Sequence, residues 1–443
     1  MTDLEQAAPL DALTLFTLRL RLVTSTAVAT PKLPSAAPDA DEPDSVPVMD
    51  ADGHPILPGT SLAGSFHRHL ARRVDADQLT KLLGRGGTDA VAGTLHIYDA
   101  TLTGPHRWLD EHSTAIDRHT AAAKESTKRH VRRVARGAEF ITHWRLDNPT
   151  GTDEQAVVQA LSTWAPLLGQ SVTNGHGDVI FLSVTHGSLD LTEDDDLLTY
   201  LTLHGPALHE QVATHPVDSP EPTTRERFTL PLRIVEPLHA GTGQADRGTT
   251  DAPKVNRVAR DGGQFVLRGS SVRGVLRSRI DYLLHSLDLA ECPEQRCGTC
   301  LTCKIFGFTN AEAARRGSVR FLDVIVTGAP PEPDQIQHVA LDRFTGGARD
   351  TALFTDEVVP TGDIDVVVED LDSSSQQWRQ LGALLRLVAA DIDDGFVRLG
   401  GGGSRGYGRM QLRAEDLPTS GLPQLKDAQA LISGMIPAEG EGA

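Results

Sequence analysis

The chain is nearly without cysteine: four among 443 residues, all between Cys292 and Cys303. It also lacks any apolar run near the roughly eighteen residues that a membrane-spanning helix needs, and its first residues carry no secretory apolar stretch. Together these absences exclude a dispersed disulfide scaffold, and they point to a cytoplasmic protein with no membrane partner. The 17 histidines form neither an H-E-x-x-H motif nor a His-Asp pair, so a catalytic metal held by histidine has no support. Positive charge is in deficit as well. Lys and Arg number 42 against 60 Asp and Glu, a net charge of −18. On average such a surface repels nucleic acid, unless basic residues are gathered locally.

The cysteines are concentrated in "CPEQRCGTCLTC", where Cys292, Cys297, Cys300 and Cys303 follow the spacing C-x4-C-x2-C-x2-C. Short C-x2-C loops bring two thiolates to one ion without strain, and thiolate suits Zn2+ in a closed tetrahedral site. A structural Zn2+ is the expectation; an iron–sulfur cluster or two local disulfides are the alternatives.

The chain repeats itself. "LPGTSLAGSFHRHLARRV" (57–74) aligns with "LRGSSVRGVLRSRIDYLL" (267–284), and "LFTLRLRLV" (15–23) with "RFTLPLRIV" (227–235). "GTLHIYDATL" (93–102) matches "GSVRFLDVIV" (317–326), "TAIDRHTAAA" (114–123) matches "VALDRFTGGA" (339–348), and "LGQSVTNGHGDV" (168–179) matches "LGGGGSRGYGRM" (399–410). Five matches in one order at nearly constant separation read as two copies of one domain. The expected organisation is a first domain over 1–203, a linker over 204–226 and a second domain over 227–416. The cysteine insertion spans 288–307, and a mobile tail runs over 417–443.

Each copy opens on an alternating strand (Phe16, Leu18, Leu20 and Leu22 in the first) and passes through a glycine into a helix. Thr60 or Ser61, and Ser270 or Ser271, are the expected N-caps. A second strand (94–102; 318–326), a loop, a helix (155–168; 377–391) and a last strand follow. The β-α-β…α-β order predicts an α+β fold of two tandem ferredoxin-like, RRM-type domains.

Three stretches carry chemistry. In "LRGSSVRGVLRSR", Arg273 and Arg277 share a helical face, Arg268 and Arg279 add charge, and no acid interrupts 268–279. The amides of Ser270 and Ser271 then stand at a helix N-terminus that can accept a phosphate. The plainer reading is a capped surface helix. Between Arg118 and Arg136 the chain holds seven Lys and Arg against one acid, Glu125, so the positive charge missing from the average is gathered there. It reads as an RNA phosphate contact or as a solvated basic loop. "LGGGGSRGYGRM" mimics a dinucleotide fingerprint but lies after a helix and before a strand, the wrong order for one. Its glycines expose backbone N–H groups for close approach to phosphate, and Arg405 and Tyr407 add charge and a stacking face.

The motif G-S/T-S-L/V-x-G-x-F/L-H/R after the opening strand, "DRFTGGA", and the glycine loop together resemble the RAMP superfamily of CRISPR–Cas proteins. More narrowly, they look like the backbone subunits of type III effector complexes, which polymerise along a guide RNA. The duplication is similar to tandem backbone proteins of type III-D-like systems. The resemblance implies a β-hairpin thumb at 119–140 and at 344–360. It also implies partners: guide RNA, target RNA and the other type III subunits. RNA contacts fall on Ser61, Arg68, Arg118, Lys128, Arg129, Arg132 and Arg133 in the first copy. In the second they fall on Arg268, Ser270, Ser271, Arg273, Arg277, Arg343, Gly402, Gly403, Ser404, Arg405 and Tyr407. The first copy carries "NGHG" and "TAAA" where the second has a fuller glycine loop and "TGGA".

A loop aspartate is required for target-RNA cutting in that family. The string "DSVPVMD" places Asp44 there in the first copy, while Asp251, with Asp246 as its rival, takes the place in the second. One carboxylate can hold Mg2+ or Mn2+, or orient a 2′-hydroxyl for attack on its own phosphodiester. Asp50 and Asp52 read as a turn. In the pairs Asp117/Arg118 and Asp342/Arg343 the acid is expected to be structural and the arginine to face RNA. Two other functions stand beside this one: a non-catalytic scaffold, and a stand-alone guide-processing endoribonuclease. The latter is disfavoured because no plausible histidine general base is expected near the glycine loop.

Overall fold

The opening strand Ala12–Leu22 buries both of its faces. Phe16, Leu18 and Leu20 point to one side, where they meet Leu62, Phe66 and Leu70 of the helix Gly59–Leu70 and Val157 and Leu161 of the helix Gly151–Leu161. Leu13 and Leu15 point to the other and pack with Leu189, Leu191, Leu208 and Ala213. The computed structural model describes residues 9–31, 42–117, 120, 122–218, 225–243, 254–289, 292 and 296–435. It divides into two compact units: 1–110, 130–172 and 176–224 in the first; 111–129, 173–175 and 225–443 in the second. No helix among the described residues is long and apolar enough to cross a membrane.

The first unit's main sheet is antiparallel. Ala12–Leu22 lies between Glu139–Asp147 and Val179–Asp190, with Leu95–Ile97 and Thr101–Leu102 beyond Glu139–Asp147 and His215–Pro216 beyond Val179–Asp190. Beneath it Phe66 makes edge contacts to Trp144 and Trp164, both with centroids 5.1 Å away. Burying a ring of this size contributes about 2 kcal/mol, and the edge geometry adds to it.

The second unit's main sheet has the same order and is also antiparallel: Val319–Phe321, Asp363–Asp370, Arg227–Ile234, Met410–Leu412. The helices Gly269–Ser286 and Ser375–Asp393 bury Leu276, Ile280, Leu384 and Val388 in one core with the sheet. Asp334–Leu341 and Ala348–Val358 form an antiparallel hairpin, and Lys254–Asn256 pairs in parallel with the latter strand. The hairpin therefore begins ten residues before the expected start at 344. The protein is mixed α+β with several antiparallel sheets, as expected.

Four local expectations need correcting. The first helices of the two units begin at Gly59 and Gly269, one or two residues before the expected serine and threonine caps, and neither start has a side-chain cap of its own. The helix expected over 155–168 starts at Gly151, because Thr150 and Asp153 form a capping box, and it ends at Leu161. Much of the expected linker is structured. Pro206–Val212 is a helix that tucks Leu208 against Leu13 and Leu15, and His215–Pro216 adds a strand. The expected mobile tail contains the helix Leu425–Ser433, which sinks Ala428 and Ile432 into the second core. Apolar residues at helical spacing outweigh the prolines and glycines around them.

Candidate nucleic-acid interface

Both first helices start in the same way. The N–H of Gly59 donates to Asp99 Oδ1 at 2.6 Å, and that of Gly269 to Asp323 Oδ1 at 2.8 Å. A carboxylate from a distant loop thus does what a capping serine would do, and it sits at the positive end of the helix dipole. Glycine is needed there because a Cβ on Gly59 would lie 2.4 Å from the Ile97 carbonyl oxygen, and one on Gly269 2.3 Å from that of Phe321. In the second unit Asp323 Oδ2 also accepts from Arg268 at 2.8 Å. The helix terminus expected to take a phosphate is already occupied by an acid of the protein itself. Ser61 and Ser270 are half-buried on the first turns, while Ser271 and Arg68 are exposed.

Arg273 and Arg277 share a face as expected, and that face meets the protein. Arg273 Nη2 donates to the Phe306 carbonyl and Arg277 Nη1 to that of Gly307, at 3.1 Å for the latter. Arg279 pairs with Asp391 at 2.7 Å. The Arg273 and Arg277 bonds fasten the helix to the segment that follows the cysteines, where Ile305 and Phe306 are fully buried and Phe306 stacks on Phe321.

The four thiols converge. The sulfurs of Cys292, Cys297, Cys300 and Cys303 all lie within 4.8 Å of one another, with Cys292 Sγ 3.5 Å from both Cys297 and Cys303. That exceeds any disulfide bond and is close to the edge of about 3.8 Å in a tetrahedron of Zn–S bonds near 2.3 Å. Burial pushes the Cys292 thiol up to about 11. Burial raises Cys297 too, but donors from Thr299 and the Cys300 N–H outweigh it and bring this thiol down to about 6. A cation of zinc's softness would hold all four as thiolates, and the donor set fits it.

The glycine loop lies between Leu399 and Gly408, whose backbones pair at 3.0 Å. Leu168 and Gly177 pair likewise in the first unit, at 2.9 Å. Gly177 and Gly408 both have positive φ, and a Cβ on either would strike the carbonyl of Leu168 or Leu399. The "NGHG" loop keeps this form despite its different sequence. Gly402, Gly403, Ser404 and Arg405 line the outer turn, with Ser404 and Arg405 exposed. Tyr407 is 4% exposed, so its ring packs inward; its hydroxyl is hydrogen-bonded to His338 Nε2 at 2.6 Å.

Two histidines border this loop that the sequence did not reveal. Besides His338, His239 pairs with Gly401 across a bridge and its Nδ1 lies 2.7 Å from the Glu357 carbonyl oxygen. A histidine does lie near the loop, contrary to expectation, because His239 reaches it from more than a hundred residues away in the chain. Periodicity carries no signal of that kind.

In the basic segment, Lys124, Lys128, Arg129 and Arg136 are exposed. Arg132 turns to Asp110 with bonds of 2.9 and 3.2 Å, and Arg133 is buried beside Ser171 Oγ. The acids of the repeated Asp–Arg pairs close their own turns: Asp117 Oδ1 accepts from the Thr120 N–H, and Asp342 Oδ1 from those of Phe344 and Thr345. These donors hold the Asp342 carboxyl below the usual range. Arg343 is exposed next to Phe344, itself 95% exposed at the hairpin tip.

Asp44 is exposed and tied to one neighbour. Its Oδ2 accepts from the His130 N–H at 2.7 Å, and its own N–H donates to the His130 carbonyl at 2.8 Å. The His130 ring reaches Asp110 at 3.2 Å, so Asp44, His130, Asp110 and Arg132 form one polar cluster. Asp251, Asp246 and Arg118 lie outside the described residues.

Residues 232–411 match the RAMP superfamily, a span that holds most of the second unit's sheet and its helix start, cysteines, hairpin and glycine loop. No curated protein matches the chain.

Proposed function

We propose that this protein is a guide-RNA-binding backbone subunit of a type III CRISPR–Cas effector complex, built of two tandem ferredoxin-like domains with hairpin thumbs. The superfamily match over 232–411 carries the reading, because that superfamily points to a CRISPR-associated RNA-binding subunit. The repeated helix start and glycine loop extend it to the first unit. Binding would rest on the exposed cations Arg68, Lys124, Lys128, Arg129, Arg343 and Arg405, which neutralise phosphates locally while the outer surface stays acidic. The four cysteines would hold a structural Zn2+.

The subunit would also cut target RNA paired to the guide. An exposed loop carboxylate such as Asp44 would remove the proton from a 2′-hydroxyl; that oxygen bonds to the adjacent phosphorus while the P–O5′ bond breaks and the leaving oxygen takes a proton from water, giving a 2′,3′-cyclic phosphate and a 5′-hydroxyl end. Mg2+ or Mn2+ would neutralise the developing charge. Asp251, or Asp246, would serve the second site. A guide-processing role is the second reading, favoured by His239 beside Gly401.

Purifying the protein with its RNA and sequencing that RNA tests the proposal. RNAs of mixed sequence sharing a repeat-derived tag at one end support it. Random cellular fragments, or no RNA, contradict it.

A further inference from the structure

The strand Ala348–Val358 ends in a stretch where polar residues are buried in series: Thr355 at 3%, Asp356 at 0% and Glu357 at 8% exposure. A carboxylate fully removed from water must be matched by donors, and those around Asp356 come from three other chain segments. Asn256 Nδ2 donates to Oδ1 at 2.6 Å, Arg405 Nη2 donates to Oδ2 at 2.9 Å, and His338 Nε2 stands 3.4 Å from the same oxygen. The next residue secures the loop from its other side. The Glu357 carbonyl oxygen lies 2.7 Å from His239 Nδ1, and the His239 carbonyl accepts the Gly401 N–H at 2.8 Å.

Arg405 differs from Arg273 and Arg277. Arg273 and Arg277 are half-buried against backbone carbonyls, whereas the Arg405 side chain is 41% exposed although one nitrogen is anchored. Its guanidinium also borders the rings of Phe354 and Tyr407, with centroids 5.8 and 5.7 Å away. Arginine has five N–H donors in a rigid fork, so fixing one nitrogen sets the direction of the rest. The Tyr407 hydroxyl is raised by burial and then by the Asp356 charge, which keeps it a neutral phenol bonded to His338.

We infer that Asp356 is a positioning residue for RNA: it holds Arg405 so that the outward face of the guanidinium is set to receive a phosphate at the glycine loop. Pairing with Asp356 lowers the net charge of the site, which weakens attraction at long range. In exchange Arg405 no longer has to be ordered when RNA arrives, and at hydrogen-bonding range orientation counts for more than one screened charge. The inference rests on the RNA-binding reading above and adds a residue to it that no RNA would touch.

The test is a double-mutant cycle on the full-length protein, with a fluorescein-labelled single-stranded RNA as probe. Asp356→Asn should weaken binding about fivefold, the size expected when one long side chain must be ordered on association. On an Arg405→Ala background the same change should have no further effect. Arg405→Lys, which keeps a cation beside the buried Asp356, should lose as much as Asp356→Asn because an ammonium lacks the fork. Equal losses from Asp356→Asn on both backgrounds would make Asp356 merely structural and overturn the inference. So would wild-type affinity in Arg405→Lys or Arg405→Ala. Absence of RNA binding by the wild-type protein is a different failure, that of the proposed function itself.

Discussion

The backbone N–H of Gly269 donates to the carboxylate of Asp323 across a loop, 2.8 Å apart, and the first turn of the helix Gly269–Ser286 is built on that bond. Asp323→Ala should cost about 1 kcal/mol, the usual worth of a helix cap, and somewhat more because Arg268 loses its partner. Gly269→Ala should cost more than Asp323→Ala, since its Cβ would collide with backbone that has no room to yield. Thermal denaturation of the two variants checks the order; a Gly269→Ala protein as stable as wild type contradicts it.

The cysteine cluster should bind one Zn2+ per chain. Metal analysis of the purified protein should find zinc at unit stoichiometry, and a chelator should lower the melting temperature because metal-binding energy is folding energy. Cys303→Ser should have the largest effect of the four serine variants, since Cys303 is the fully buried member. Iron in place of zinc, or no metal, contradicts this.

Stability of the first unit should fall on mild acidification. Burial holds His209 down to about 4, with His143 adding to the effect and the Phe16 carbonyl opposing it. Burial, and then Arg73, hold His69 down to about 4 as well. Both are neutral in the fold while the unfolded chain titrates near 6.5, so the unfolded state binds the extra protons. Above about pH 6.5 neither imposes a penalty; between there and about 4 stability declines. Asp153 acts lower. Its burial favours protonation, but Lys81 and Thr150 outweigh it and bring the carboxyl to about 2, so its contribution fades only below about 3.8. Melting temperatures between pH 7.5 and 4.5 should slope downward, and His69→Gln with His209→Gln should flatten the slope. An unchanged slope in the double variant contradicts this assignment.

Cleavage should divide between two acids. In an assembled complex given end-labelled target RNA, Asp44→Ala should remove one set of cuts and leave guide binding within about twofold, because a surface carboxylate repels phosphate rather than anchoring it. Asp251→Ala should remove the other set, with Asp246→Ala next in line. Cuts that persist in both variants assign the chemistry elsewhere.

What could be read from the sequence was what repeats or alternates. The opening strands recur through their alternating apolar residues, while Gly59, Gly269, Gly177 and Gly408 recur because backbone contact forbids a side chain there. The cysteine cluster was legible because its four thiols fall within twelve residues. Partners from remote segments were not legible. Arg273 and Arg277 read as phosphate ligands because nothing near them is acidic, yet the carbonyls that hold them lie 33 and 30 residues on. Tyr407 read as a stacking face until His338, 69 residues away, drew its hydroxyl inward. The C-terminal helix was hidden by the prolines and glycines that flank it, and its place is set by Ala428 and Ile432 entering a core assembled elsewhere.

The most direct test of the account is equilibrium binding of the full-length protein to two single-stranded RNAs of equal length and unrelated sequence, measured from low to physiological salt. Contacts to phosphate predict equal affinities for the two RNAs and a logarithmic decline with salt of about 0.7 per phosphate neutralised. Replacing Lys124, Lys128 and Arg129 with alanine should shallow that slope by about 2 for both RNAs alike. No binding, binding to only one of the two, or an affinity indifferent to salt would contradict a guide-binding subunit.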